Sequence, residues 1–174
     1  MRALTLCAIV LGTGLLLCCT PRMQPGAIGQ APPREEIRIS RGPCFGFCPV
    51  YRVAVTPAGR VDFEGERHTA VLGPRSHSAG RDAYEAVRRA LAPVRPATGT
   101  ERAVPCPCPG AATDMSSLTV EWISADGTRT ALTHRMGCRD AGAAQVERTA
   151  GEQLRRLGVD GWAAQKTWPG DTRG

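Results

Sequence analysis

Lysine is almost missing from this chain. Of its 22 basic residues, Lys166 alone is not an arginine. The formal net charge of +6 is therefore carried by arginine, and the arginines alternate with acids, as in GERH (residues 65–68) and DAYEAVRRA (residues 82–90). That pattern is a solvated mixed surface. It is not the clustered basic stripe that nucleic-acid binding requires, so no nucleic-acid partner is expected. Long apolar runs are also missing, since none reaches the roughly 20 residues of a membrane-spanning helix. The three histidines, His68, His77 and His134, form no H-x-x-x-H pair, which removes the usual zinc-site spacing. There is no P-loop, no G-x-G-x-x-G and no G-x-S-x-G elbow, so nothing points to a nucleotide-dependent enzyme or a serine hydrolase.

Cysteine, by contrast, is abundant, with 8 in 174 residues. Two of them close an N-terminal segment with the marks of a secretory leader. Arg2 supplies a positive charge, and Leu4 to Leu17 is an apolar stretch interrupted only by Thr5, Gly12, Thr13 and Gly14. It ends in LLLCCT rather than in a small-x-small cleavage site. This ending resembles a bacterial lipobox, whose cysteine becomes the lipidated first residue of the mature protein. Cys19 is the expected acceptor, because the residue before it, Cys18, is small. Choosing Cys18 would put Leu17 in that place. Ordinary secretion is the alternative.

The organisation expected is a leader over 1–19, a disordered Pro/Gly-rich tether over 20–34, one domain over 35–162 and a polar tail over 163–174. Ile37 and Ile39 alternate with polar neighbours as a short strand. Tyr51, Val53 and Val55 do so again, and TPAG then turns the chain into Val61 and Phe63, which makes a β-hairpin. Thr69 to Leu72 is read as a further strand stopped by Gly73 and Pro74. Tyr84, Val87 and Leu91 fall on one face of a helix capped near Ser78 and ended before Pro93. After a Pro-rich loop, Leu118, Val120 and Trp122 alternate, and Asp126-Gly127 turns into a partner strand through Leu132. Val146, Ala150, Leu154 and Leu157 stripe a last helix that Gly158 ends. The order strands, helix, strands, helix predicts an α+β fold, an antiparallel sheet of two hairpin units with two helices on one face. The core is predicted at Val53, Val55, Phe63, Tyr84, Val87, Leu91, Val120, Trp122, Leu132, Val146, Leu154 and Leu157.

The stretch CFGFCPVY, Cys44 to Tyr51, opens the first hairpin and carries a resemblance. With Gly59, Gly65, Gly73, Asp114 and Trp162, it resembles a bacterial envelope family catalogued as domain of unknown function 6438, over about Ile37 to Trp162. The resemblance implies a fold and an envelope habitat. It implies no reaction, because none is assigned to that family. Two departures stand out. Phe47 occupies a position where the family has a smaller residue, and CPCPG (residues 106–110), with Cys138, is an addition.

Three chemistries compete for the loop. A Cys44–Cys48 disulfide closes a small ring in which Gly46 can take a positive φ, and thiols outside the cytosol tend to oxidise. C-x-x-x-C-P also resembles the copper loop of Sco-type chaperones. That makes Cys44, Cys48 and His134 an alternative copper site, although in those proteins the motif opens a helix and here it opens a strand. A thiol oxidoreductase needs C-x-x-C at a helix N-terminus, which is missing. The staple is preferred. Cys138 is expected to pair with Cys106 or Cys108, leaving one thiol over. No catalytic residue and no cofactor is expected. The expected partners are a membrane, through the lipid on Cys19, and an unknown envelope protein or ligand. The location implied is the bacterial envelope, anchored in the outer membrane and facing the periplasm. The function expected is that of a non-catalytic interaction or structural module, with a periplasmic copper-binding chaperone as the alternative.

Overall fold

The computed structural model describes residues 35–106, 114–138 and 140–168. The expected leader, lipidated Cys19 and tether lie outside the described residues, as does Cys108. The strands are β1 (Glu36–Arg41), β2 (Val50–Val55), β3 (Arg60–Arg67), β4 (Gly73–Ser78), β5 (Glu101–Ala103), β6 (Ser117–Ile123) and β7 (Arg129–Arg135). The helices are α1 (Arg81–Leu91), followed by a 3-10 turn at Ala92–Val94, then α2 (Ala141–Arg156) and α3 (Asp160–Ala163). The fold is α+β. One seven-stranded sheet runs β4-β3-β2-β1-β6-β7-β5, antiparallel throughout except that β5 lies parallel to β7.

Register explains the core. Phe63, Val53, Ile39, Val120 and Leu132 stand opposite one another across five strands, and Val61, Val55, Ile37, Trp122 and Thr130 form the next row. Cross-strand partners share a face, so both rows point the same way, and all of these residues are buried. A slip of one residue would turn every one of them to solvent. Helix α1 adds Tyr84, Val87 and Leu91 to this cluster, and α2 adds Val146, Ala150 and Leu154. All twelve residues expected in the core are buried.

Local chemistry sets the ends of the elements. The β2–β3 turn closes with Gly59 N–H donating to the Thr56 carbonyl at 2.8 Å. Gly59 has φ +84°, and a Cβ there would lie 2.1 Å from the Gly80 carbonyl carbon, so backbone and space both require glycine. The Asp140 carboxylate caps α2 by accepting from Gly142 N–H and Ala143 N–H. At the other end Val159 N–H returns to the Leu154 carbonyl and Gly158 N–H to Arg155, a Schellman closure with Gly158 at φ +68°.

Three expectations need correction. The fourth strand is Gly73–Ser78, not Thr69–Leu72, of which Thr69 forms an isolated bridge with Gln165 and Ala70 and Val71 donate to the Ala164 and Trp162 carbonyls. Ser78 ends β4, and Gly80 occupies the α1 cap position without a side-chain hydrogen bond. The Pro-rich loop contains β5, all three of whose residues are exposed. Trp162 lies in α3, edge-on to Phe63 at 5.7 Å and to His77 at 5.3 Å.

A buried polar knot holds the start of β1. Tyr84 Oη donates to the Glu35 carbonyl at 2.7 Å, while Glu35 Oε1 accepts from Arg95 at 2.5 Å and from Ser124 Oγ at 3.0 Å. Burial raises the Tyr84 phenol above its ordinary value. Burial likewise raises Tyr51, against the opposing effect of Arg41. A raised folded-state value means that the fold holds the phenolic proton more tightly. Stability is then complete below the unfolded value of about 10 and falls as pH rises past it. Tyr84→Phe is expected to cost about 1–2 kcal/mol at neutral pH and to flatten the alkaline loss. Urea melts at neutral pH and above pH 10 check both.

Candidate functional site

The sheet has two ends, and the cysteines gather at one. The β1–β2 loop, the β3–β4 loop, the approach to β6, the β7–α2 turn and the chain after α3 all reach it. Gly42 N–H donates to the Ser117 carbonyl at 2.8 Å, which ties the end of β1 to the start of β6. Phe45 N–H donates to the Asp114 carbonyl at 3.0 Å, and Gly46 N–H to the Cys44 carbonyl at 3.0 Å. A disulfide joins Cys44 to Cys48 with their Cα atoms 5.7 Å apart. Gly46 lies inside that ring at φ +143°, and a Cβ there would meet nothing within 4 Å. Glycine is therefore needed for its backbone and not for lack of room.

Phe47 turns back onto the domain. Its ring stands edge-on to His68 at 5.3 Å. His68 is the one non-glycine residue at positive φ among the described residues, at +57°, and its carbonyl accepts from Lys166 N–H at 2.9 Å. The bulk at position 47 thus has a packing partner. Phe45, two residues earlier, points the other way and is 89% exposed.

A second disulfide, Cys106–Cys138, has Cα atoms 5.8 Å apart and Cys138 buried. It ties the loop leaving β5 to the turn before α2. Val104 N–H, just upstream, donates to the Thr133 carbonyl at 2.8 Å and continues the β5–β7 pairing.

His134 is not at the cysteine ring. Tyr51, Arg41, Leu118 and His134 stand in one cross-strand row, so three strand spacings, about 14 Å, separate His134 from the strand that the ring opens. Its ring is buried, with Nε2 2.7 Å from Glu147 Oε1, and that oxygen also accepts from Gly137 N–H at 3.1 Å. The copper set Cys44, Cys48 and His134 is therefore not brought together. Among the described residues no group of three His, Cys, Asp or Glu side chains is placed to hold a metal ion. Asp114 contributes its carbonyl to the ring, and its side chain is exposed.

The face of the sheet turned away from the buried rows carries a concavity of about 440 Å³ over Arg52, Ala54, Arg60, Asp62, Glu64 and Arg75. Its charges pair locally, Arg60 with Asp62 at 2.8 Å and Arg52 with Glu66 at 3.4 Å. The Arg60 hydrogen bond holds the Asp62 carboxyl below its usual range. Nothing there converges on a point in space.

The four large apolar side chains exposed among the described residues, Phe45, Leu72, Met115 and Trp168, all belong to the cysteine end. Sequence reasoning did not find this set. Its members lie in four segments with no shared period, and only the sheet topology places those segments together. A family model described as Domain of unknown function (DUF6438) matches residues 35–156. No curated protein matches the chain.

Proposed function

Starting from a chain that belongs to the DUF6438 family, we propose that it is a non-catalytic interaction module of the bacterial envelope, held to the outer membrane by lipid on Cys19 and facing the periplasm. The observation that carries this reading is the pair of closed cysteine rings at one end of the sheet. Disulfides of this kind persist in oxidising compartments, and a leader ending in LLLCCT delivers a chain to one. The non-catalytic part is supported by where titration is perturbed. The resolved shifts belong to core tyrosines, to exposed Arg–acid pairs and to Asp126 in its turn, and the pair that lines the concavity, Arg60 with Asp62, is closed on itself.

The anchor is tested by growth with labelled fatty acid. Label is expected on the wild-type protein and on Cys18→Ser, and none on Cys19→Ser, which is expected to accumulate unprocessed. A soluble, unlabelled wild-type protein whose processing is unchanged in Cys19→Ser would refute the anchor and leave ordinary secretion.

A further inference from the structure

We propose that the cysteine end of the domain is itself a membrane-contacting surface, which seats on anionic phospholipid headgroups. Phe45 is 89% exposed, Leu72 61%, Trp168 56% and Met115 39%. They come from the β1–β2 loop, the β3–β4 loop, the chain after α3 and the approach to β6. The segments are joined side by side. The Phe45–Asp114 hydrogen bond links the first to the last, Phe47 against His68 links the first to the second, and the Thr69–Gln165 bridge with Lys166 N–H on His68 links the second to the third.

Charge on this end selects the occupant. Arg67 closes β3 and Arg135 closes β7. Both are exposed, and neither has an acidic partner among the described residues. Lys166 lies between Gln165 and Trp168 on the same end. The acids here are mostly engaged, Glu66 by Arg52, Asp140 by the first turn of α2 and Glu147 by His134 and Gly137 N–H, which leaves Asp114. An aromatic, apolar end rimmed by free cations is what a bilayer interface accepts, with rings at headgroup depth and guanidinium groups at the phosphates.

Shape selects it further. The four side chains stand on four separate segments between elements. A protein partner would need a matching recess for each, whereas a fluid interface yields to each independently. The Cys44–Cys48 ring and its two backbone hydrogen bonds already fix the loop that carries Phe45, so seating it orders little further chain. This surface does not depend on the lipid at Cys19, because the described chain enters the sheet at Glu35, the opposite end of β1.

The test uses protein isolated from the expressing cells and vesicles of phosphatidylcholine with phosphatidylglycerol, their acyl chains brominated to quench tryptophan. Trp122 is buried in the core and Trp162 is packed against it, so Trp168 is the reporter. Quenching is expected with anionic vesicles, weakened by salt and abolished in Trp168→Phe. Phe45→Ser and the pair Arg67→Glu, Arg135→Glu are expected to raise the lipid concentration for half-maximal quenching about tenfold. These substitutions are on the surface, and unchanged near-UV spectra report an intact fold. If Cys19 carries lipid, every variant sediments with the vesicles, and the extent of quenching at saturating lipid, not its midpoint, is expected to fall in the variants. If it does not, sedimentation reads the contact directly. Unquenched Trp168 would overturn the proposal, and so would quenching indifferent to Phe45 and to both arginines. A Phe45-dependent complex with a protein, formed without quenching, would overturn it in favour of a protein partner.

Discussion

Phe63→Ala is expected to lower the unfolding free energy by about 3–5 kcal/mol. Phe63 is 2% exposed, faces Val53 across β2, stacks on Tyr51 at 6.1 Å and meets Trp162 edge-on at 5.7 Å. Truncation removes the buried ring and leaves a cavity that β2, β3 and α3 cannot all close upon at once. Because α3 meets the sheet here, the loss is expected to reach the β3–β4 loop, where Val71 N–H depends on the Trp162 carbonyl. A domain of this size has only about 5–15 kcal/mol in hand, so the variant is expected to be partly unfolded at growth temperature. Urea unfolding with hydrogen exchange at Val71 checks both statements. A loss below about 1 kcal/mol would mean that the ring is not packed as described.

Cys138→Ser is expected to cost about 3–4 kcal/mol, because the bond it removes closes a long ring and restrains the unfolded chain correspondingly. Cys44→Ser opens a far shorter ring and is expected to cost about 2 kcal/mol by the same argument. Non-reducing peptide maps are expected to link Cys106, and not Cys108, to Cys138, and Cys108→Ser is expected to leave stability unchanged within about 0.5 kcal/mol. If Cys108→Ser instead removes the link, the pairing described at Cys106 is wrong.

The legible parts of the fold were those in which one face is buried. Tyr51 to Phe63 alternates because β2 and β3 have one wet face and one dry face, and TPAG marks the turn between them. The helices were legible for the same reason, each having a single apolar stripe. β4 was not, because an edge strand reading GPRSHS buries almost nothing and carries no alternation. Pro74 and Gly73 looked like a strand stop, yet an edge strand tolerates proline because its outer side needs no donor. β5 is too short and too exposed to leave a pattern. Of the cysteine end, the Cys44–Cys48 ring and its glycine were readable from their spacing. The reach of Phe45 to Asp114 was not, because it depends on β1 lying beside β6. No local sequence signal encodes that pairing.

That same placement has a consequence for the order of folding. β1 is the first strand among the described residues and the central one, with β2 on one side and β6 on the other. Its pairing with β2 is local and can form early. Its other edge stays open until β6 has emerged, since Ile39 must wait for Val120. Long-range closure of this kind slows folding, because a large loop must be brought together before any pairing compensates for it. A chain that emerges vectorially therefore cannot complete its sheet while its second half is still being delivered. It presents a bare strand edge during that interval.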